Sequence, residues 1–499
     1  MKNEWNFIAI DLGAESGRCF VALVTPDRIA LNEIHRFPTH TLKINDSIHW
    51  NTDAIFSDIL IGLAKAKDQF GSEFDGIGID TWGIDYVLVN ADGTDAGYPF
   101  QYRDDRTDGL MAEAFQIIPE DELYTLTGTK SAQYNTLFQL LAEKKNKTGL
   151  LHKAAHFLLM PEYFNFRLTG VKKSEFTIAS TTGITDPRLR NWSRKTIETF
   201  GIPENIFSEM VEPGTKLGTL LPSVAEITGI STGVPVFAVA GHDTACAAAS
   251  IPASDRSWGF LSSGTWSLMG IELKNPIINS TAMKYGFTNE AGYNRTTTLL
   301  KNIVGLWPLQ ECRREWIKTG EEISYAQLTS LASANGFTGA WIDLTDIRFL
   351  KHGFMLKKVC DYLTETDQQL NYEPGFITGV ILESLAYIYR KTIRQIEKLT
   401  GTVIEVIHIT GGGIQNELLT QYTAEATGKT VIAGPLEGAV FGNIGIQAIA
   451  SGAFKDITEL RRVIRNSVPL KEYKPVNSEY FNINEKHYDR VINTKQEKH

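Results

Sequence analysis

Cysteine is scarce in this chain, and the cysteines present form no recognisable motif. Four occur among 499 residues, at Cys19, Cys246, Cys312 and Cys360, and no two are spaced as a Cys-x-x-Cys pair. This distribution argues against a disulfide framework or a structural zinc site and is typical of a reducing compartment. We therefore expect a cytoplasmic protein.

Long apolar runs and an excess of positive charge are also missing. The apolar run in MKNEWNFIAIDLG is cut short by Asp11, and no later run approaches the length that spans a bilayer. We expect neither a signal peptide nor a membrane anchor. The formal net charge of -9 argues against a nucleic-acid partner, because such partners require a basic face.

Length and composition predict a globular protein with more than one core. Hydrophobic residues make up 42% of the chain and charged residues 21%, as in an ordinary globular protein. A chain of 499 residues is too long for one ordinary core, so two domains are expected.

One local pattern occurs twice along the chain. A strand, a turn of small polar residues and a second strand are predicted near residue 10 and again near residue 262. We interpret this pattern as two similar α/β domains, 1–245 and 246–499, with a cleft between them. A single large α/β domain is the alternative.

The first turn, in Asp11-Leu12-Gly13-Ala14-Glu15-Ser16-Gly17-Arg18, has the composition of a phosphate-binding hairpin. Its glycines let the backbone approach a ligand closely and direct N–H groups at it. Ser16 adds a hydroxyl and Arg18 a cation that phosphate would attract. Asp11, at the end of an apolar strand, is placed to hold Mg²⁺ directly or through water. The alternative is an ordinary glycine-bearing hairpin.

Two further glycine-bearing turns are candidates for nucleotide contact. Ser262-Ser263-Gly264-Thr265, with small polar residues and a glycine, could contact phosphate for the same reasons as the first turn. A plain turn is the alternative. Gly411-Gly412-Gly413 lies between a predicted strand and helix, where a base or ribose could rest on the backbone; a tight βα turn is the alternative. A dinucleotide fingerprint is excluded, because Asn416 stands where a glycine is required.

Gly241-His242-Asp243-Thr244 follows an apolar strand predicted at Val234–Ala240. Ligands collect at the carboxyl ends of strands in α/β sheets, which makes Asp243 a candidate catalytic group. The helix predicted to follow would favour its carboxylate form. An ionised aspartate is a weak base, but phosphoryl transfer requires proton removal only late. The alternative is that Asp243 only caps its helix.

A polar and aromatic set in the first half of the chain suits a polyhydroxylated ligand. It comprises Thr81-Trp82-Gly83, Asp85 and Tyr102-Arg103-Asp104-Asp105-Arg106. Aromatic faces combined with fixed donors and acceptors are typical of sugar sites. For any one of these residues, solvated surface charge is the favoured interpretation, most of all for Asp104.

Together, these segments resemble the FGGY carbohydrate kinases, within the actin, hexokinase and heat-shock ATPase superfamily. The resemblance covers nearly the whole chain, in the order DLGAESGR, GHDT, SSGTWSLMG and GGGIQN. GIDTWGIDYVLV, YRDDRT, LLMPEYFNFRLTG and KNIVGLWPLQ are similar to the rhamnulokinase branch. The resemblance implies two ribonuclease-H-like α/β domains that close over ATP and sugar in a catalytic cleft. The first domain would bind the sugar and would contact phosphate through DLGAESGR, the phosphate-1 hairpin. The second domain would bind adenosine and would contact phosphate through SSGTWSLMG, the phosphate-2 hairpin.

The resemblance also implies site residues by motif match. ATP would contact Ala14, Glu15, Ser16, Gly17, Arg18, Thr265, Gln310 and Gly412. The sugar would contact Gly83, His242, Asp243, Thr244 and Asn302. Asp243 would be the general base. Glu15 departs from the family pattern, since many relatives carry serine there, and its carboxylate would weaken ATP binding unless it points away.

The activity that the resemblance implies is ATP-dependent phosphorylation of L-rhamnulose at its 1-hydroxyl, in L-rhamnose catabolism. Mg²⁺ would bridge the β- and γ-phosphates. One alternative keeps the chemistry and changes the sugar to L-fuculose or another deoxy-ketose. Another is a non-enzymatic nucleotide switch or sugar sensor on the same fold. The expected partners are the ketose and ATP, and the expected assembly is a monomer or homodimer.

Overall fold

The computed structural model describes residues 2–146, 149–254 and 256–493. The chain forms two compact units, each built from separate stretches. The first unit comprises Met1–Pro252, Glu272–Leu299 and Gly438–Val468, and the second comprises Ala253–Ile271, Leu300–Glu437 and Pro469–His499. The domain limits 1–245 and 246–499 stay a prediction.

The strands follow in chain order. They are β1 (Trp5–Leu12), β2 (Ser16–Val24), β3 (Ile29–Pro38), β4 (Thr41–Ile44), β5 (Ser47–Trp50), β6 (Gly76–Thr81), β7 (Tyr86–Val89), β8 (His156–Leu159), β9 (Ser174–Glu175), β10 (Thr185–Asp186), β11 (Asn191–Trp192), β12 (Met210–Val211), β13 (Thr215–Thr219), β14 (Pro235–Ala238), β15 (Trp258–Ser263), β16 (Trp266–Leu273), β17 (Thr288–Ala291), β18 (Thr297–Val304), β19 (Val406–Thr410), β20 (Thr430–Ala433) and β21 (Lys471–Tyr473).

The α-helices are α1 (Thr52–Phe70), α2 (Leu110–Ile117), α3 (Glu120–Thr127), α4 (Thr136–Lys145), α5 (Leu150–Lys153), α6 (Met160–Thr169), α7 (Phe176–Ala179), α8 (Arg194–Phe200), α9 (Pro222–Thr228), α10 (Asp243–Ala249), α11 (Ser280–Tyr285), α12 (Trp307–Lys318), α13 (Tyr325–Asn335), α14 (Met355–Glu365), α15 (Pro374–Thr400), α16 (Glu417–Thr427), α17 (Gly438–Ala450), α18 (Ile457–Ser467) and α19 (Ser478–Asn493). Short 3-10 helices lie at Asp105–Thr107, Glu204–Ile206, Tyr293–Arg295, Ile347–Phe349 and Gly412–Gln415.

A six-stranded sheet in the order β13-β14-β6-β1-β2-β3 organises the first unit. β1, β6 and β14 run parallel, and β2 forms an antiparallel hairpin with β1. β1 is apolar on both faces because each face has a core. Ile8 and Ile10 pack in one cluster with residues of α1 and α6, whereas Phe7 and Ala9 pack in another with residues of α17 and α18. Burial on both faces explains the near-continuous apolar run.

The second unit repeats the hairpin. β15 pairs antiparallel with β16 and parallel with β19, and β19 pairs parallel with β20. β21 adds an antiparallel edge to β20. The prediction that one hairpin pattern occurs twice is therefore confirmed, since in each unit its first strand also pairs with a parallel strand. The long helix predicted at about 376–400 is α15.

No helix in the described part of the chain combines the length and hydrophobicity needed to span a bilayer.

Gly442 permits a close approach of two helices in the first unit. A Cβ at Gly442 of α17 would lie 1.9 Å from the carbonyl oxygen of Cys246 in α10. α10 begins at Asp243, so this contact also supports the position of that carboxylate.

We expect Gly442→Ala to lower the free energy of unfolding by about 3 kcal/mol, because backbone must move to admit the methyl group. Denaturant unfolding followed by circular dichroism measures the change. The control is Gly97→Ala, whose Cβ would meet its nearest neighbour, a Leu150 methyl, at 4.0 Å. Equal stability of the two variants would contradict the assignment.

Candidate active site

The carboxyl ends of three neighbouring parallel strands meet at one edge of the first unit's sheet. The N–H of Thr81, the last residue of β6, donates to the Gly241 carbonyl at 2.9 Å, and the N–H of Trp82, the next residue, donates to the Leu12 carbonyl at 3.0 Å. These bonds join the ends of β6, β14 and β1. Ligands in open α/β sheets bind at this kind of edge.

Acidic side chains cluster at this edge. Asp11 of β1 and Asp80 of β6 are register partners, and Asp243 follows the end of β14. The charges of Asp11 and Asp243 each raise the pKa of Asp80, after the larger effect of its burial. The carboxyl groups of Asp11, Asp80 and Asp243 therefore interact electrostatically.

Asp243 is the first residue of α10, and His242 takes the N-cap position. Asp243 therefore does not occupy the capping position considered for it, and its role stays a prediction. Its Oδ1 accepts a hydrogen bond from the Thr244 hydroxyl at 3.1 Å and lies 3.4 Å from His242 Nε2. The side chain is 34% exposed, so a ligand has access to it. Desolvation raises the pKa of Asp243, the charge of His242 lowers it and that of Asp11 raises it.

Sequence reasoning missed Asp80 and Glu290. Asp80 is fully buried, and its Oδ2 accepts a hydrogen bond from Asn443 Nδ2 at 2.7 Å. A signal for Asp80 existed, namely an acid closing the apolar run GIGID. Glu290 lies with Oε2 3.1 Å from His242 Nδ1. It belongs to no motif, and nothing local in the sequence marks it.

The turn between β1 and β2 is closed by its own backbone. The Gly13 N–H donates to the Ser16 carbonyl at 3.0 Å, and the Thr39 hydroxyl donates to the Gly13 carbonyl at 2.6 Å. Arg18 Nη1 lies 2.7 Å from Asp11 Oδ2, so the arginine pairs with the strand-end carboxylate. Glu15 is an exposed residue of this turn.

Of the predicted nucleotide residues of the second unit, Thr265 lies in the turn between β15 and β16, Gln310 in α12 and Gly412 at the start of a 3-10 helix. The Thr265 hydroxyl donates to Gln310 Oε1 at 3.1 Å. A Cβ at Gly411 or Gly413 would collide with Ser263, which explains glycine at both positions. A Cβ at Gly412 would have no neighbour within 4 Å, so the backbone there is open to a ligand. Asn302 is an exposed residue of β18.

Asp85 accepts hydrogen bonds from several donors in the first unit. They are Trp50 Nε1 at 2.7 Å, Trp82 Nε1 at 3.0 Å, Gln139 Nε2 at 2.9 Å and the Tyr102 N–H at 3.3 Å. Burial raises its pKa to about 6, and the donors oppose that shift. Asp85 therefore holds aromatic side chains in place beside Gly83.

Asp104 is buried, so its interpretation as solvated surface charge is wrong. Its Oδ2 accepts from the Ile48 N–H at 2.9 Å and its Oδ1 from the Arg106 N–H at 3.1 Å. Arg106 is also buried and pairs with Glu143 at 3.1 Å. These side chains therefore form hydrogen bonds and an ion pair in the interior of the first unit.

The carboxylates at the strand ends fit a magnesium ion that would be bound by protein carboxylates and by phosphate oxygens together. Among residues 2–146, 149–254 and 256–493, no three His, Cys, Asp or Glu side chains form a metal site by themselves. Mg²⁺ is usually held by one or two carboxylates together with phosphate oxygens and water, rather than by an all-protein cage. Asp80 Oδ1 has no hydrogen-bond partner within the described residues. This oxygen, beside Asp11, could therefore accept a hydrogen bond from a water molecule bound to the metal ion.

Comparison with known proteins identifies the family. Residues 6–250 match the N-terminal domain of the FGGY family of carbohydrate kinases, and residues 259–451 match its C-terminal domain. The chain belongs to the FGGY family of carbohydrate kinases. It is thus a sugar kinase, and this family implies ATP as the co-substrate.

Several relatives match this FGGY kinase over nearly its full length. A rhamnulokinase of Bacteroides thetaiotaomicron is 39% identical over 470 residues, covering 94% of this chain and 96% of the relative. A rhamnulokinase of Bacillus subtilis is 36% identical over 469 residues, covering 94% and 95%. The resemblance inferred from the motifs is confirmed.

Solved structures confirm the fold class of this FGGY kinase. A xylulose kinase from Rhodospirillum rubrum matches with a TM-score of 0.80 at 16% identity, covering 97% of this chain and 98% of the other. A Plasmodium falciparum glycerol kinase with ADP gives 0.80 at 13% identity and 97% coverage of both. The roles of individual residues stay predictions.

Asparagine at two buried aspartate positions should have opposite effects on stability. Asp80→Asn removes a carboxyl group whose pKa is raised by burial and by the charge of Asp11. In the parent, this group is harder to ionise in the folded state than in the unfolded state, and the variant lacks that free-energy cost. A raised folded-state pKa lowers stability as pH rises above the ordinary aspartate range, so the advantage of Asp80→Asn should grow with pH. Asp85→Asn should cost about 2 kcal/mol at low pH, because an amide cannot accept from all the donors, and this cost should shrink as pH rises because the pKa of Asp85 is raised to about 6.

Urea unfolding of both variants and the parent at several pH values, without nucleotide or metal, measures these effects. A loss of stability in Asp80→Asn that increases with pH would contradict the electrostatic account of this edge.

Proposed function

We propose that this FGGY kinase transfers the γ-phosphoryl group of ATP to the 1-hydroxyl of L-rhamnulose. Full-length similarity to rhamnulokinases supports the choice of sugar. The observation that carries the chemistry is the partly exposed carboxylate of Asp243 at the strand-end edge, hydrogen-bonded to Thr244 and beside His242.

Asp243 acts as the general base. The 1-hydroxyl oxygen forms a bond to the γ-phosphorus, the bond from that phosphorus to the β–γ bridging oxygen breaks, and ADP leaves with the electron pair. The hydroxyl proton passes to the Asp243 carboxylate. Because the transition state is loose, the proton leaves late, and a weak base is sufficient.

Gly83, His242, Thr244 and Asn302 contact the sugar in this proposal. Gly83 has little room for a side chain, since a Cβ there would lie 3.2 Å from the Thr181 hydroxyl oxygen, closer than most such contacts. Its backbone thus remains available to a hydroxyl. Thr244 supplies a hydroxyl, and His242 presents its ring beside Asp243.

Nucleotide contacts are assigned to two sets of residues. In the first unit they are Ala14, Glu15, Ser16, Gly17 and Arg18, and in the second Thr265, Gln310 and Gly412. Backbone N–H groups of the turns stabilise phosphate oxygens where negative charge spreads in the transition state. Arg18 contributes mainly by offsetting the charge of Asp11, with which it is paired at 2.7 Å.

Mg²⁺ would be held by Asp11, directly or through water, and when bound would neutralise charge on the β- and γ-phosphates. We also propose a cytoplasmic location and assembly as a monomer or homodimer.

We expect Asp243→Asn to lower kcat by about 100- to 10,000-fold, because the amide cannot accept the proton. A coupled ADP-release assay with L-rhamnulose measures turnover, and calorimetry measures ATP binding, which should change little. As a matched control, Asp121→Asn alters an exposed aspartate in the first turn of α3 and should leave turnover unchanged. Turnover of Asp243→Asn at the parent rate would refute the base assignment.

We expect L-rhamnulose to give the highest kcat/KM in a panel of ketoses that includes L-fuculose and L-ribulose. Phosphorus NMR of the product should show a primary phosphate ester at carbon 1. Preference for L-fuculose would overturn the choice of sugar and leave the phosphoryl chemistry intact. ATP binding without sugar-dependent ADP release from any ketose would favour a nucleotide switch.

A further inference from the structure

The carboxylate of Glu290 contacts the ring nitrogen of His242 that faces away from Asp243. Glu290 Oε2 lies 3.1 Å from Nδ1, and Nε2 lies 3.4 Å from Asp243 Oδ1. The imidazole therefore stands between two carboxylates. Its two ring nitrogens are occupied by different partners, a geometry that can fix both ring orientation and protonation.

Glu290 depends on this contact. The residue is 7% exposed, and His242 is 8% exposed. Glu290 Oε2 has no hydrogen bond that meets ordinary geometry among the described residues, and the His242 imidazole, 3.1 Å away, is its ion-pair partner. A buried carboxylate without a partner is strongly unfavourable, so the imidazole and the carboxylate stabilise each other.

The strand that carries Glu290 is anchored on both sides of it. The Asn289 N–H donates to the Gly128 carbonyl at 2.9 Å, and the Ala291 N–H donates to the Ser180 hydroxyl oxygen at 2.8 Å. Asn289 Nδ2 adds a second bond to the Gly128 carbonyl at 3.1 Å. Backbone bonds to both neighbours restrict how far Glu290 can move.

We propose that Glu290 is a positioning residue, which holds the His242 imidazole through Nδ1 so that Nε2 faces Asp243. The proposal rests on the proposed role of Asp243 as base and adds a residue that acts through another side chain. It predicts an imidazole that carries a proton on each nitrogen, because each nitrogen faces a carboxylate oxygen.

The electrostatics of the surroundings agree with this arrangement. Burial lowers the pKa of His242, but the carboxylates of Glu290, Asp243 and Glu175 raise it, and the net direction is upward. Glu290 in turn faces Tyr134, and Asp243 faces Asp11. A cationic imidazole beside Asp243 favours the ionised carboxylate of Asp243, the form that a base requires. It thus offsets part of the effect of desolvation, which raises the pKa of Asp243.

A double-mutant cycle tests whether Glu290 acts through His242. Glu290→Gln keeps the shape of the side chain and removes its charge, and should lower kcat/KM by about 10- to 100-fold, as loss of an orienting partner commonly does. In the His242→Asn background the same change should have little further effect, because the group that it orients is absent. Additive losses would overturn the proposal. Glu212→Gln, which removes a carboxylate paired with Arg190 in the same unit, is the control and should leave kcat/KM unchanged.

Imidazole NMR of the folded enzyme provides a test that does not depend on turnover. The chain has ten histidines, and the signal lost in His242→Asn identifies His242. Its pKa should fall in Glu290→Gln and in Glu290→Ala, and should remain raised in Glu290→Asp. An unchanged His242 titration in Glu290→Gln would overturn this proposal whether or not Asp243 is the base. A shifted titration with normal turnover in Asp243→Asn would support the pairing and refute the base.

Discussion

Hydrogen bonds between the ends of β1, β6 and β14 are the constraint on which the candidate site depends. The Thr81 N–H reaches the Gly241 carbonyl, and the Trp82 N–H reaches the Leu12 carbonyl. These bonds continue the parallel register beyond the strands themselves. A shift of one residue would turn Asp80 to the opposite face and move Asp11 and Asp243 apart.

Bringing carboxyl groups together at one edge has an electrostatic cost, and the first unit offsets it with a different partner for each acid. Arg18 pairs with Asp11, Asn443 donates to Asp80, and His242 lies beside Asp243. Asp11 and Asp80 are almost fully buried, whereas the Asp243 side chain is 34% exposed. Asp243 is therefore the most exposed acid of this group, as its proposed role as base requires.

Much of the fold was predictable because its strongest signals are local. The apolar run that ends at Asp11, the glycine-bearing turns and the length of α15 each follow from adjacent residues. Asp243 was also predictable, because an apolar strand followed by a helix start places its acid at a strand end. The N-cap of α10 is His242, one residue before Asp243, the residue considered as the cap from the sequence alone.

The parts that were not predictable depend on distant residues. Glu290 meets His242 only through tertiary structure, and nothing in its own strand distinguishes it from a surface residue. Asp104 was misinterpreted because a charged run usually faces solvent, yet its carboxylate accepts bonds from the Ile48 and Arg106 N–H groups. Chain order also gave no indication that Gly438–Val468 belongs to the first compact unit.

The pH dependence of the chemical step tests the account most directly. In rapid-quench single turnovers with labelled ATP and saturating L-rhamnulose, the rate constant should fall at low pH with one ionisation above the ordinary aspartate pKa, because burial raises that of Asp243. This acid limb should be absent from the residual rate of Asp243→Asn. A rate constant that has the same acid limb in both proteins would contradict proton removal by Asp243.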